Sequence, residues 1–257
     1  MFADSNLENA VKKVVKSLVQ YDETLGILLY GSYAMGCGKP GSDVDILWIT
    51  HKPMLNEQRG FDPGYHACCI NGFFFEIRNL TAAQAAGEMQ GTIITNNNMV
   101  LNAFSEGMVL YDTDECMAQL LQKAVEIKSA GPSAPSEFEV EYLRHELTHN
   151  FARIRRAAEN PEIPGMLRVL SSRFFLCAVN VYCRMHRLWS TEFKYLLERT
   201  KAEHPEFHRL CSNHLNARTD EEIILSLEKL MDASLGQMRH RDPAAELSLT
   251  SFGTAKI

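Results

Sequence analysis

The sequence predicts an α+β fold: a small mixed β-sheet with flanking helices over residues 1–130, followed by an all-α helical bundle over 137–238 and a flexible tail over 239–257. Three observations carry this. Short apolar runs bounded by turn residues fall only in the first half. Beyond residue 136 the apolar residues recur at helical spacing. Between the two, Ala130-Gly-Pro-Ser-Ala-Pro-Ser136 reads as a linker.

A length of 257 residues with 46% hydrophobic and 23% charged content is enough for well-buried cores. Residues 1–20 interleave Lys12, Lys13 and Lys16 with valines, unlike the separate charged and apolar regions of a signal peptide. No apolar run approaches the roughly 20 residues of a membrane helix, so a cytoplasmic location is expected. The seven cysteines are odd in number, irregularly spaced and without a C-x-x-C pair, which argues for reduced, mostly buried thiols. The net charge of −6 sits in residues 1–130, with 15 acids and 9 bases, while residues 131–257 balance 17 against 17. The acidic half is therefore a poor general partner for nucleic acid, and a basic groove is left open only for the second half.

Taken in order, Asp4, Ser5 and Asn6 precede Leu7, Val11, Val14, Val15 and Leu18, which share one helix face behind a polar cap. Residues 26–30, 44–50, 72–77 and 108–111 suit strands, three of them buried. The polar stretch 51–71 reads as a hairpin-like excursion or a mobile loop. Helices are expected at 81–90, 96–105 and 114–129. The second half reads as helices at 137–160, 164–188, 191–203, 205–215 and 219–235. Ser136 with Glu139, and Thr219 with Glu222, have the spacing of capping boxes.

The chemistry concentrates between residues 28 and 48. The run Leu28-Leu-Tyr-Gly31-Ser32 delivers a glycine and a serine from a strand into a turn, where a missing Cβ lets backbone N–H groups approach a phosphate and the hydroxyl can donate to it. Asp43 and Asp45 open the next strand, and their i, i+2 spacing puts both carboxylates on one side. Two carboxylates so close repel unless they share a cation, and magnesium, with its preference for oxygen ligands and substrate phosphates, suits them. Glu76 lies among Phe73, Phe74, Phe75 and Ile77. A carboxylate in so apolar a strand needs a partner, and a metal shared with Asp43 and Asp45 supplies one. Two ions held by the three acids would activate the attacking oxygen, brace the α-phosphate and neutralise departing pyrophosphate.

These residues resemble the nucleotidyltransferase superfamily of DNA polymerase β, whose pattern is Gly-Ser, about ten residues, then Asp-x-Asp, with a third acid on a later strand. The resemblance covers roughly residues 26–80. It implies a nucleoside triphosphate donor, taken as ATP, held at Gly31, Ser32 and Ser42, and two magnesium ions held by the catalytic acids Asp43, Asp45 and Glu76. The layout of catalytic domain plus helical bundle is similar to the stand-alone nucleotidyltransferases that modify aminoglycosides or lincosamides. The stretches Arg173 to Arg184 and Trp189 to Leu197 are loosely similar to their helical domains. That resemblance implies a small hydroxyl-bearing acceptor and a carboxylate base, for which Glu76, Glu141 and Glu146 are all candidates. A protein or tRNA acceptor is the alternative, drawn from the arginines of the second half, and a non-enzymatic nucleotide-binding module is a third reading. The helical half is expected to help orient the acceptor.

Other patterns weigh less. His204, His208, Cys211 and His214 recur along one helix, but four ligands on a straight helix cannot close a tetrahedron around one ion. Arg144 and His149 have a spacing found in some helical ribonuclease toxins. Arg153, Arg155, Arg156, Arg168, Arg173, Arg184 and Arg187 are expected mostly to pair with acids of the same half. Phe73 to Phe75 and Phe174-Phe175 read as core rather than substrate platforms.

Overall fold

The computed structural model describes residues 4–54, 64–95, 98–159, 163, 165–189 and 193–236. The chain divides into two compact units, residues 1–133 and 134–257. The expected tail, 239–257, lies outside the described residues.

In the first unit the sheet is built from β1 (Thr24–Tyr30), β2 (Val44–Thr50), β3 (Tyr65–Ile70), β4 (Phe73–Thr81) and β5 (Met108–Asp112), in the order β3-β4-β2-β1-β5. β2 and β4 run parallel and the other neighbours antiparallel, so the sheet is mixed. Helix α1 (Ser5–Leu18) begins where the Asp4 carboxylate accepts the amides of Asn6 and Leu7, satisfying two of the donors that a helix start leaves open. Its buried Leu7, Val11, Val14 and Leu18 pack on Ile27, Leu29, Val44, Ile46, Trp48, Phe75 and Ile77, the alternate residues of three adjacent strands. The opposite sheet face carries Leu28, Leu47 and Leu80, and is met by α3 (Ala82–Thr95), α4 (Met99–Glu106) and α5 (Cys116–Ala130). The one-turn α2 (Gly31–Ala34) follows β1 directly.

The excursion expected at 51–71 contains a strand. β3 pairs antiparallel with β4 across the Asn71-Gly72 turn, where both residues have positive φ. Asn and Gly tolerate that conformation best, so the second part of 51–71 is one arm of a hairpin; residues 55–63 lie outside the described set. β4 also runs on to Thr81, four residues past the expected end. Asn79 belongs in it because its side chain donates to Trp48 O and Thr50 Oγ1 and accepts from the Met54 amide.

The second unit holds α6 (Glu137–Glu159), α7 (Met166–Met185), α8 (Phe193–Glu203), α9 (Pro205–Leu215) and α10 (Asp220–Leu235). Leu147, Phe151 and Ile154 of α6, Phe174, Phe175 and Ala178 of α7, Phe207 of α9 and Leu227 and Leu230 of α10 form its core. Both Phe174 and Phe175 are therefore core, whereas in the Phe73 to Phe75 run only Phe75 is buried and Phe74 is 47% exposed, as strand alternation requires. At 20 residues, α7 is long and apolar enough by composition to cross a membrane, contrary to the reading that no run approached that length. The apolar content that gives it this character is the content that fills the core.

Two further expectations are corrected. Thr219 and Glu222 form a complete capping box, but Ser136 forms only half of one. Its hydroxyl accepts the Glu139 amide, while the Glu139 carboxylate turns to Arg184, at 2.6 and 2.9 Å. A bidentate bond to a buried guanidinium is stronger than one to a single amide. All seven cysteines are free thiols, but only Cys183 and Cys211 are buried; Cys37 and Cys69 are exposed. Cys37 falls in a loop and Cys69 on a strand at the sheet's margin, where neither apolarity nor spacing signals exposure.

Candidate active site

β1 ends at Tyr30, and Gly31 turns the chain with φ +70. A Cβ there would lie 2.0 Å from Asp45 Oδ2, so both the backbone angle and the space demand glycine. Next to it, the Ser32 hydroxyl is buried with no hydrogen-bond partner among the described residues. Burying an unsatisfied hydroxyl costs about 1–3 kcal/mol, a penalty that a bound anion would remove. The loop beyond is tied by Tyr33, whose hydroxyl donates to Lys39 O at 3.0 Å. Ser42 closes the turn: its amide donates to Lys39 O and its hydroxyl accepts the Lys39 amide at 3.2 Å. Ser42 thus shapes the loop that leads into Asp43.

Asp43 is exposed just before β2, and Asp45 is half-buried within it. Sheet register then assembles the site. Asp45 lies opposite Tyr30 on β1 and opposite Glu76 on β4, so one residue of each of three adjacent strands faces the same side. Asp43, Asp45 and Glu76 each offer an oxygen within 4.8 Å of the others. That span is close to the roughly 4.2 Å between opposite ligands of a magnesium ion with bonds of about 2.1 Å. Like charges at such distances repel by roughly 3 kcal/mol per pair at an effective dielectric of about 20. An all-oxygen donor set, clustered at that cost beside an unsatisfied hydroxyl, fits a hard divalent cation carrying phosphate.

Three neighbours set the local field. Tyr65 donates its hydroxyl to Glu76 Oε1 at 2.5 Å. Arg78, two residues beyond Glu76 on the same face of β4, gives its Nη2 to both oxygens of Glu88, at 3.0 and 3.2 Å. Tyr30 is held in its protonated form: burial pushes its pKa up and the Asp45 charge pushes it further, with smaller contributions from Glu76 and Asp43. Sequence reasoning missed all three. Their roles come from cross-strand pairing, and for Tyr30 the one legible hint is its place next to Gly31.

Residues 9–80 match the family profile described as a nucleotidyltransferase domain. The first unit carries a nucleotidyltransferase domain of the polymerase β-like superfamily. The matched segment spans α1 through β4 and so includes the glycine turn, both aspartates and Glu76. The chain is accordingly a transferase with a nucleotide substrate. Among solved structures it is similar to a nucleotidyltransferase-like protein from Exiguobacterium sibiricum 255-15, at 15% identity and a TM-score of 0.48, over 92% of this chain and 81% of that one. No curated protein matches it.

The remaining candidates of this nucleotidyltransferase fall elsewhere. An apolar groove of about 900 Å³ between α1 and β5, lined by Val11, Val15, Val19, Met108 and Leu110, lies across the sheet from the acids and includes none of them. Glu141 and Glu146 belong to the second unit. Glu141 accepts Arg144 at 2.8 and 2.9 Å, and Glu146 lines a small polar pocket with Asn150, Arg153 and Arg173. Arg144 is itself buried while His149 is exposed, stacked on His145, so that pair does not face one site. Of the arginines, Arg155 pairs with Glu228 and Arg184 with Glu139. The histidines of α9 and its cap bond to three different neighbours: His204 to Tyr182, His208 to Leu197 O and His214 to Ser226.

Proposed function

We propose that this nucleotidyltransferase moves AMP from ATP to a hydroxyl of a small, positively charged acceptor, such as an aminated antibiotic, with magnesium and release of pyrophosphate. One observation carries the reading: three carboxylates converge within 4.8 Å beside a glycine turn whose serine hydroxyl is buried and unpartnered. In such a transfer the acceptor oxygen bonds to the α-phosphorus, the bond from that phosphorus to the bridging oxygen breaks, and the acceptor proton passes to a base or to solvent. Two magnesium ions, when bound, supply charge neutralisation for the triphosphate and ease ionisation of the acceptor hydroxyl.

The chain's own residues do the rest. Gly31 clears the approach, while the Ser32 hydroxyl and the amides of the turn donate to the triphosphate oxygens; Ser42 keeps the adjoining loop in place. Asp43 and Asp45 hold the ions, with Asp45 fixed between β1 and β4, and Glu76 completes the set. Among Glu76, Glu141 and Glu146, Glu76 is the one that stands with the two aspartates, where it serves as a ligand of the ions. The charge of −6 over residues 1–130 favours a cationic acceptor over a polyanion. A cytoplasmic location belongs to this reading, supported by seven free thiols.

A protein or tRNA acceptor is the second reading. It is favoured by the outward face of α6, where Phe138 is 83% and Tyr142 57% exposed, followed by the exposed His145, His149, Arg153 and Arg156. Such aromatic and cationic groups suit stacking and phosphate contact.

The test uses ATP labelled at the α-phosphate, magnesium and a panel of aminated small molecules, proteins and tRNA. Label is expected on a small acceptor with equimolar pyrophosphate. Asp45→Asn should lower transfer about 100–1,000-fold, with folding by circular dichroism retained because charge repulsion is relieved. Near wild-type turnover by Asp45→Asn at saturating magnesium would refute the assignment, and label remaining in ADP while the acceptor gains an unlabelled phosphate would indicate a kinase instead.

A further inference from the structure

Glu76 is the acid with the longest and most mobile side chain, and its placement is therefore the site's weakest point. The aspartates are short, with Asp45 on β2 and Asp43 directly before it, whereas a glutamate has three torsions, the last of them broad. The hairpin β3–β4 addresses this. Directly opposite Glu76 stands Ala67, whose methyl leaves the strand surface open, and two positions along stands Tyr65, opposite Arg78. Diagonal neighbours on adjacent strands are within reach of an aromatic side chain, and the Tyr65 hydroxyl meets Glu76 Oε1 at 2.5 Å. The other nearby candidate, Arg78, is committed to Glu88 through both carboxylate oxygens. The phenol thus grips the Glu76 carboxylate that lies in the cluster with Asp43 and Asp45.

We propose that Tyr65 is the positioning residue of the acidic site: its hydroxyl holds the Glu76 carboxylate in the orientation that shares a divalent cation with Asp43 and Asp45. This rests on the magnesium-dependent reading above. Groups that orient a metal's ligands contribute about 10–100-fold to metal affinity, and a phenol that donates to a ligand carboxylate is such a group.

The test measures Mn²⁺ binding by electron paramagnetic resonance with the α,β-methylene analogue of ATP present, against a blank of analogue and metal without protein. Tyr65→Phe is expected to weaken Mn²⁺ binding about 10–100-fold while leaving the circular dichroism spectrum unchanged. In a Glu76→Ala background the same substitution should add nothing, because the tyrosine acts through the glutamate. Should Tyr65→Phe not fold, Ala67→Val, which crowds the opening opposite Glu76, carries the test and is expected to weaken Mn²⁺ binding likewise. Wild-type affinity in Tyr65→Phe, or a further loss when it is added to Glu76→Ala, overturns the proposal. Failure of the wild-type protein to bind Mn²⁺ with the analogue overturns the magnesium reading itself, and the two failures are thereby told apart.

Discussion

At Gly31 the backbone and the chemistry constrain the same atom. Alanine there would need a left-handed conformation costing about 1–2 kcal/mol, and its Cβ would fall where Asp45 Oδ2 now lies. Gly31→Ala is therefore expected to fold, with a modestly lower melting temperature, but to lose transfer at least about 100-fold, the scale of a misplacement of about 1 Å. Steady-state rates alongside thermal melts check this; an unchanged rate would show that the glycine serves the turn alone. Residues of this kind were legible in the sequence because their signal is local. Gly31, Ser32, Asp43 and Asp45 lie within fifteen positions, and their spacing alone suggests a phosphate turn beside a metal pair. Glu76 was legible only as a misfit, a charge among phenylalanines. Tyr65 was not legible, since its role depends on which residue of β4 it faces, and that register is set by the whole sheet.

Among elements, those with a strong end signal were read well and those defined by partners were not. α10 starts at Thr219 with the box its sequence spells out. β3 was half hidden because Tyr65–Ile70 has no clean polar alternation and each of its residues is only partly buried, apart from exposed Cys69. Helices α9 and α10 also make a pH-dependent contact. His214 on α9 stacks on Phe175, with ring centroids 4.6 Å apart, and bonds to Ser226 on α10, while burial lowers its pKa. A histidine whose pKa is lowered in the fold favours the neutral form. Its contribution is complete above its ordinary pKa, near 6.5, and is lost as pH falls through the lowered value. His186, lowered by burial and then by His204, acts in the same direction. The melting temperature of the second unit is expected to fall between pH 7 and pH 5, and His214→Phe should flatten that decline. An equal slope in the variant would assign the acid sensitivity to other groups.

At the scale of the molecule, the first unit contains every residue of the proposed nucleotide and metal site together with its own core. Residues 1–133 expressed alone are thus expected to fold and to keep magnesium-dependent binding of the ATP analogue within a few-fold of the full chain. Calorimetry on the fragment checks this, and a folded fragment that has lost binding would show that residues beyond 133 help hold the triphosphate. Transfer measured on the same fragment reports where acceptor recognition lies, since a full rate would place it in the first unit as well. The division also follows the charge, with the acidic balance in one unit and neutrality in the other.

The two tryptophans give this division a spectroscopic form. Trp48, in β2, is buried with its indole N–H on Thr24, and Trp189, after α7, is buried in the second unit. Each half of the protein therefore carries one buried, built-in fluorophore, and their summed emission should shift to the red in two steps under denaturant wherever the halves melt separately. The chain carries its own two-channel report of which half opens first, with no label attached.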